Sequence, residues 1–142
     1  MTQEEKDLLL KDLSARLPYG LYATVRDSEE KDDFQPFEVL GIKEDLVWVK
    51  NIMICVDHFD IIEVVKPYLR PMSSMTKEEK EKYHSLCYEE SEILEFGEWV
   101  ARVYYHDTID SIDYLNSIHI DYRGLIEKDL ALKAPKGMYN VK

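Results

Sequence analysis

Phe37-Glu38-Val39-Leu40-Gly41-Ile42-Lys43-Glu44-Asp45-Leu46-Val47-Trp48-Val49-Lys50 is the stretch on which the fold turns. Two apolar runs, 37–42 and 46–50, flank the charged triplet Lys43-Glu44-Asp45. That pattern predicts two short strands joined by a tight connection. Pro36 has no amide hydrogen, so the first strand starts there or lies on an edge. Leu46-Val47-Trp48-Val49 is apolar on both faces, which predicts that helices from elsewhere in the chain cover one of them.

Upstream, Leu21, Ala23 and Val25 alternate with Tyr22, Thr24 and Arg26, the period of a half-buried strand. Asp27 to Asp33 carries charges and no apolar member, and reads as a solvated hairpin loop. Farther upstream, Thr2-Gln3-Glu4-Glu5 has the spacing of a capping box. Leu9, Leu10, Leu13 and Leu17 follow at helical spacing until Pro18 ends the run. Downstream, Ile52 to Val56 and Ile61 to Val65 read as two more strands around a turn at Asp57-His58-Phe59-Asp60. Short strands with brief turns over 19–66 predict an antiparallel meander curled into a small barrel.

Near residue 70 the hydrophobic period changes from strand-like to helical. Thr76-Lys77-Glu78-Glu79 repeats the capping-box pattern. Tyr83, Leu86, Cys87 and Leu94 then line one stripe of a predicted helix that Gly97 ends or breaks. Trp99, Ala101, Val103 and Tyr105 alternate as in a strand. Asp107-Thr108 offers an N-cap for a helix through Ile109, Ile112, Leu115 and Ile118. A last short helical piece is expected at about Leu125 to Leu130.

The expected fold is therefore α+β within one domain, 1–142. An N-terminal helix (1–18) precedes a β-rich part (19–71), a small barrel or curled sheet of SH3-like size. A mainly helical part (72–142) packs on it.

Composition narrows function by exclusion. The 142 residues carry 29 acids and 18 bases, a net charge of -11, spread along the chain rather than set in a tail. Affinity for duplex nucleic acid comes largely from Lys and Arg on phosphates, so the balance argues against a general nucleic-acid binder. Acidity fits solubility, or a surface that meets a basic protein partner. No apolar run is long enough to cross a bilayer, so no membrane partner is expected. The first residues lack the basic-then-apolar character of a secretion signal, and a cytoplasmic location is expected. Cys55 and Cys87 make no disulfide framework.

Chemistry-bearing motifs are sparse. His84 and Cys87 lie three apart on one predicted helical face, but a zinc site needs two further ligands. The five glycines form no phosphate loop. No cofactor, metal or catalytic residue is assigned. Glu89, Glu90, Glu92, Glu95 and Glu98 read as a solvated helix face. The densest unusual set is Asn116, His119, Asp121, Tyr122, Arg123 and Gly124. Arg123 beside Tyr122 presents a planar donor fork to a carboxylate or phosphate, or else pairs with an acid of the protein itself while Asp121 caps the next helix. Asn116, His119, Tyr122 and Arg123 are the candidate binding residues there. Trp48 and Tyr68 join them as aromatics beside Lys50, Lys66 and Arg70, the pattern by which a small barrel holds single-stranded nucleic acid.

Asp113-Tyr114-Leu115-Asn116 and His119-Ile120-Asp121-Tyr122-Arg123-Gly124-Leu125-Ile126-Glu127-Lys128 resemble a C-terminal signature shared by a set of short proteins. These are uncharacterised proteins of Bacteroides-type gut bacteria and their phages or mobile elements. Lys66-Pro67-Tyr68-Leu69-Arg70-Pro71-Met72-Ser73-Ser74-Met75-Thr76 and Leu9-Leu10-Lys11-Asp12-Leu13-Ser14-Ala15-Arg16-Leu17-Pro18-Tyr19-Gly20 are similar to its other recurring strings. The resemblance implies accessory cargo of a phage or mobile element and supplies no activity. Three classes follow: first a non-enzymatic interaction module that holds a protein partner through an acidic surface, then a small-barrel nucleic-acid binder, then an enzyme of unrecognised type.

Overall fold

The computed structural model describes residues 1–25, 36–96 and 98–139. Helix α1 (Gln3–Arg16) starts at the Thr2 capping box: the Thr2 hydroxyl accepts the Glu5 amide, and the Glu5 carboxylate accepts the Thr2 amide. Leu9 and Leu13 are fully buried. Pro18 sits in a single 3-10 turn, Leu17–Tyr19, and Gly20 at φ 72° redirects the chain, a conformation that costs glycine nothing.

Strands β1 (Tyr22–Val25), β2 (Phe37–Lys43), β3 (Leu46–Asn51), β4 (Asp57–Ile61) and β5 (Val65–Leu69) follow. Then come helix α2 (Lys77–Leu86), strands β6 (Tyr88–Phe96) and β7 (Glu98–His106), helix α3 (Ile109–Ser117) and the short β8 (Leu132–Lys133). The main sheet runs β4-β3-β2-β1-β5-β8, and β6-β7 forms a separate two-stranded sheet. All pairs are antiparallel except β5 with β8.

The core lies between α1 and one face of the main sheet. Leu9 and Leu13 meet Leu21, Ala23, Val39, Val47, Val49, Val65 and Leu69, with Leu125, Leu130 and Ala131 closing one end. Burial of each such leucine contributes about 2 kcal/mol. A smaller cluster, Met75, Leu115, Ile118 and Ile120, joins α2 and α3 to the first.

The α+β class and the N-terminal helix are as the periodicity predicts, but the sheet does not close into a barrel. β5 returns to pair with β1, and β4 and β8 end the ladder at opposite edges. The strand reading of 52–65 is shifted. Ile52 to Val56 is the turn and Asp57–Ile61 is the strand. The cause is Asn51, whose side-chain oxygen accepts the amides of Met53 and Ile54, while Cys55 takes a left-handed φ of 55°. An Asx turn overrides the apolar character of Ile52-Met53-Ile54.

The C-terminal part is helical only in pieces. The α2 helix stops at Leu86, so Leu94 lies on a strand. The glutamate run from Glu89 to Glu98 is accordingly divided between β6 and β7 rather than arrayed on a helix face. The predicted strand around Trp99 to Tyr105 is present as β7. Residues 125–129 form turns in place of a helix, closed by the Leu130 amide on the Leu125 carbonyl, with Asp129 at φ 58°. The Asp27 to Asp33 loop and Gly97 lie outside the described residues.

Candidate functional site

Two regions break the usual sorting of polar and apolar groups, and they lie on opposite sides of β2. In the first, charge is inside. Asp12 and Arg16 are both 0% exposed, on the same face of α1 as the buried Leu9 and Leu13. Arg16 Nε and Nη2 hold the Asp12 carboxylate at 2.9 and 3.1 Å, and Nη2 also donates to the Ile120 carbonyl at 2.7 Å. Arg123 Nη1 donates to the same carboxylate at 2.7 Å. Tyr122 lies against both guanidiniums, with ring-to-Cζ distances of 5.5 Å for Arg16 and 4.6 Å for Arg123. Its hydroxyl donates to the buried Asn116 at 3.0 Å. Helix spacing of four places Asp12 and Arg16 on one face, and the chain after α3 supplies the rest.

Beside this network, α2, α3, the start of β1 and the 133–139 tail enclose an open cleft of about 1300 Å³. His119 lines it at 3% exposure; its Nε2–H donates to the Tyr19 carbonyl at 3.0 Å, which leaves Nδ1 the unprotonated nitrogen. Burial, with Arg16 and Arg70 nearby, holds its pKa down to about 4, so the ring is neutral at pH 7. Tyr139 stacks on His119 with centroids 3.9 Å apart. The Tyr139 hydroxyl donates to the Tyr68 carbonyl at 2.7 Å and accepts the Tyr22 amide at 3.1 Å. It thus bridges β1 and β5 just past their last ladder pair, Ala23 with Pro67. Arg70 makes a two-pronged pair with Glu79 at 2.7 and 2.8 Å, which holds the Glu79 carboxyl below the usual range. Lys82, Lys133 and Lys136 stand on the cleft wall against Glu78.

In the second region, hydrophobic groups are outside. Across β3, β4 and the turn between them, Trp48, Ile52, Met53, Ile54, Val56, Phe59 and Ile61 are all exposed, Met53 to 73% and Ile54 to 66%. Trp48 and Phe59 pair across the strands and stack with centroids 6.1 Å apart, and Trp48 Nε1 donates to Asp57 at 2.7 Å. Gly41 lies opposite Trp48, where a β-carbon would stand 3.4 Å from the indole ring. Near this apolar surface in sequence and register lie exposed Glu44, Asp45 and Asp57, together with Lys43 and Lys50, while Glu63 pairs with Lys6 of α1. An apolar area with a polar rim marks a docking surface.

The six residues singled out from sequence fall into four places. Asn116, Tyr122 and Arg123 belong to the Asp12 network, and His119 lines the neighbouring cleft. Arg123 pairs with an internal acid, and Asp121 accepts the amides of Leu125 and Ile126 to cap the turn that follows. Tyr68 is buried within β5 at 5% exposure and has no open stacking face. Trp48 alone is in the exposed region. Lys66 pairs with Asp129 and Arg70 with Glu79, whereas Lys50 lies two residues along β3 from the exposed Trp48, so of the three expected bases only Lys50 is near an exposed aromatic.

Sequence reasoning missed Asp12 and Arg16, whose i,i+4 spacing was the available signal. It also missed the surface of Met53, Ile54, Phe59 and Ile61, because apolar residues were assigned to strand interiors. Among the described residues no group of histidine, cysteine and acidic side chains is arranged for a metal, and no helix is long and apolar enough to cross a membrane. Compared with known proteins, the chain matches no family model, no curated sequence and no solved structure.

Proposed function

We propose that this protein is a non-enzymatic interaction module, an accessory protein of phage or mobile-element type, that holds a protein partner on the β3–β4 hairpin. The observation that carries the reading is the run of seven large apolar side chains exposed on that one hairpin. Exposing them to water is unfavourable by roughly 25 cal/mol for each Å² that a partner would cover. The acidic residues at the rim add a preference for a partner with bases beside its apolar contact, and they steer the encounter. The polar candidates in the other region are mostly held internally: Arg123 by Asp12, Asn116 by Tyr122, and His119 by Tyr19 through Nε2 and by stacking on Tyr139, while its buried Nδ1 has no hydrogen-bond partner among the described residues. That favours a structural role for them over catalysis. The nucleic-acid alternative has less support, since Tyr68 is buried and Lys66 and Arg70 are paired internally.

Photo-crosslinking in a lysate of the source cells tests the reading, with a photoreactive residue replacing Ile54 in one sample and Glu127 in another, each with and without nuclease. A protein adduct formed from position 54 and not from 127 is the expected result. Adducts from both positions alike, or from neither, overturn it. Adducts that vanish with nuclease promote the nucleic-acid reading.

A further inference from the structure

The outer edge of β4 carries the inference, which goes beyond the interaction-module reading: its occupant is a second copy of this chain, distinct from the basic partner proposed for the apolar face. The Asn51 amide donates to the Val56 carbonyl, and the Ile62 amide donates to the Asp45 carbonyl. Those two bonds bracket the β3–β4 register, in which Val49 faces His58, Trp48 faces Phe59 and Val47 faces Asp60. Hydrogen-bonded pairs alternate along an antiparallel ladder. His58 and Asp60 therefore bond β3 through their main chain, whereas the N–H and C=O groups of Asp57, Phe59 and Ile61 point away from it. Among the described residues, no strand pairs with that edge. It lacks the lysine or proline that commonly blocks edge pairing.

We propose that β4 pairs antiparallel with β4 of a second copy of this chain, about a two-fold axis at Phe59, to join two sheets edge to edge. In this register Phe59 meets Phe59, and Asp57 meets Ile61 on each side of the axis. All three pairs are of the type that exchanges both main-chain hydrogen bonds. The same register sets His58 of each copy opposite Asp60 of the other. A shift of two residues either way leaves two such pairs and sets His58 against His58 or Asp60 against Asp60. A shift of one leaves none. Within each strand His58 Nε2 already pairs with Asp60 Oδ2 at 2.5 Å, and this register sets that pair against its inverted copy, while main-chain hydrogen bonding selects the register out of the set. On the solvent face, the stacked Trp48 and Phe59 continue across the axis into Phe59 and Trp48 of the second copy, the aromatic cross-strand contact that stabilises paired sheets. The net charge of -11 on each copy opposes the approach, so salt strengthens this pairing, whereas it weakens the binding of a basic partner.

Sedimentation velocity of the full chain over roughly 10 to 500 μM, the range in which small interfaces associate, tests this at low and high salt. The expected result is a dimer that tightens with salt. Phe59→Pro removes the central outward amide without touching the β3 ladder, and it weakens the dimer at least roughly tenfold. His58→Asp and Asp60→His each set like groups against each other and also weaken it. The double variant H58D/D60H restores the opposed pairs and the dimer, which guards against a fold lost in any one variant. A chain that stays monomeric throughout overturns the pairing. So does a dimer indifferent to Phe59→Pro, or a monomer that instead floats with phosphatidylcholine vesicles. A monomer that still crosslinks another protein from position 54 overturns the self-pairing alone; a monomer with no adduct overturns the interaction-module reading as well.

Discussion

The Asp12 network and the β3–β4 hairpin are inversions of each other. At one side of the sheet, Asp12 and Arg16 are taken out of water, with a partly exposed Arg123 joined to them; at the other, seven apolar side chains are left in it. The network is closed: every carboxylate oxygen of Asp12 is bonded within the chain, and its cations lie against Tyr122. The hairpin is open on its outer edge and on its solvent face. A buried charge is tolerable only when its partners are already present, so the network belongs to folding. A large exposed apolar patch is the usual mark of a docking site, which is why the proposed association is placed on the hairpin.

The largest expected effect breaks the closed side. Asp12→Ala leaves Arg16 buried without its carboxylate and destabilises the fold by about 3–5 kcal/mol, read from urea denaturation. Folding then depends on pH through His119. Its folded pKa near 4 lies below the ordinary 6.5, so between those values the unfolded chain holds more protons. The His119 contribution is therefore complete above pH 6.5 and shrinks as pH falls toward 4. The expected loss is about 2 kcal/mol between pH 7 and pH 5, and His119→Gln abolishes it. Glu63 and Glu79, whose carboxyls are held below their ordinary range by Lys6 and Arg70, contribute stability that is likewise lost as pH falls. Tyr139→Phe removes the hydroxyl that bridges β1 and β5 and costs about 1–2 kcal/mol, which a thermal melt detects.

Arg123→Ala sharpens the comparison. Its guanidinium is partly exposed and Arg16 stays on Asp12, so the expected loss is about 1 kcal/mol, well below that of Asp12→Ala. A larger loss would make Arg123 an equal partner in the network. The smallest effect is on the open side: Ile54→Asp changes stability by no more than about 0.5 kcal/mol while abolishing the crosslink from a photoreactive residue placed at the neighbouring Met53. A strong loss of stability there would mean that Ile54 packs within the chain.

The two sides were not equally legible. The α1 helix, its Thr2 cap and the strands at Tyr22, Phe37 and Leu46 follow from periodicity and capping spacing, which are local. The internal pairing of Arg123 and the capping by Asp121 were also anticipated from residue chemistry. The turn at Asn51 was not, because three apolar residues in a row outweighed one Asx side chain. Nor was the end of α2 at Leu86, since Tyr88 to His106 carries both helical and alternating patterns. The burial of Asp12 was hidden because an acid on a helix reads as solvent-facing until its cations are known.

The amino-acid sequence by itself determined the class of fold, the helix starts, most strand positions and the acidic charge of this protein. Each depends on neighbours within about a turn of helix or a hairpin. Tertiary structure alone decided that the sheet stays open, that Arg123 reaches across the chain to Asp12, and that Trp48, Phe59 and Ile61 of β3 and β4 stay uncovered. Those outcomes depend on which distant segments compete for the same surface. With β1 taken by β2 and β5, nothing among the described residues covers β4.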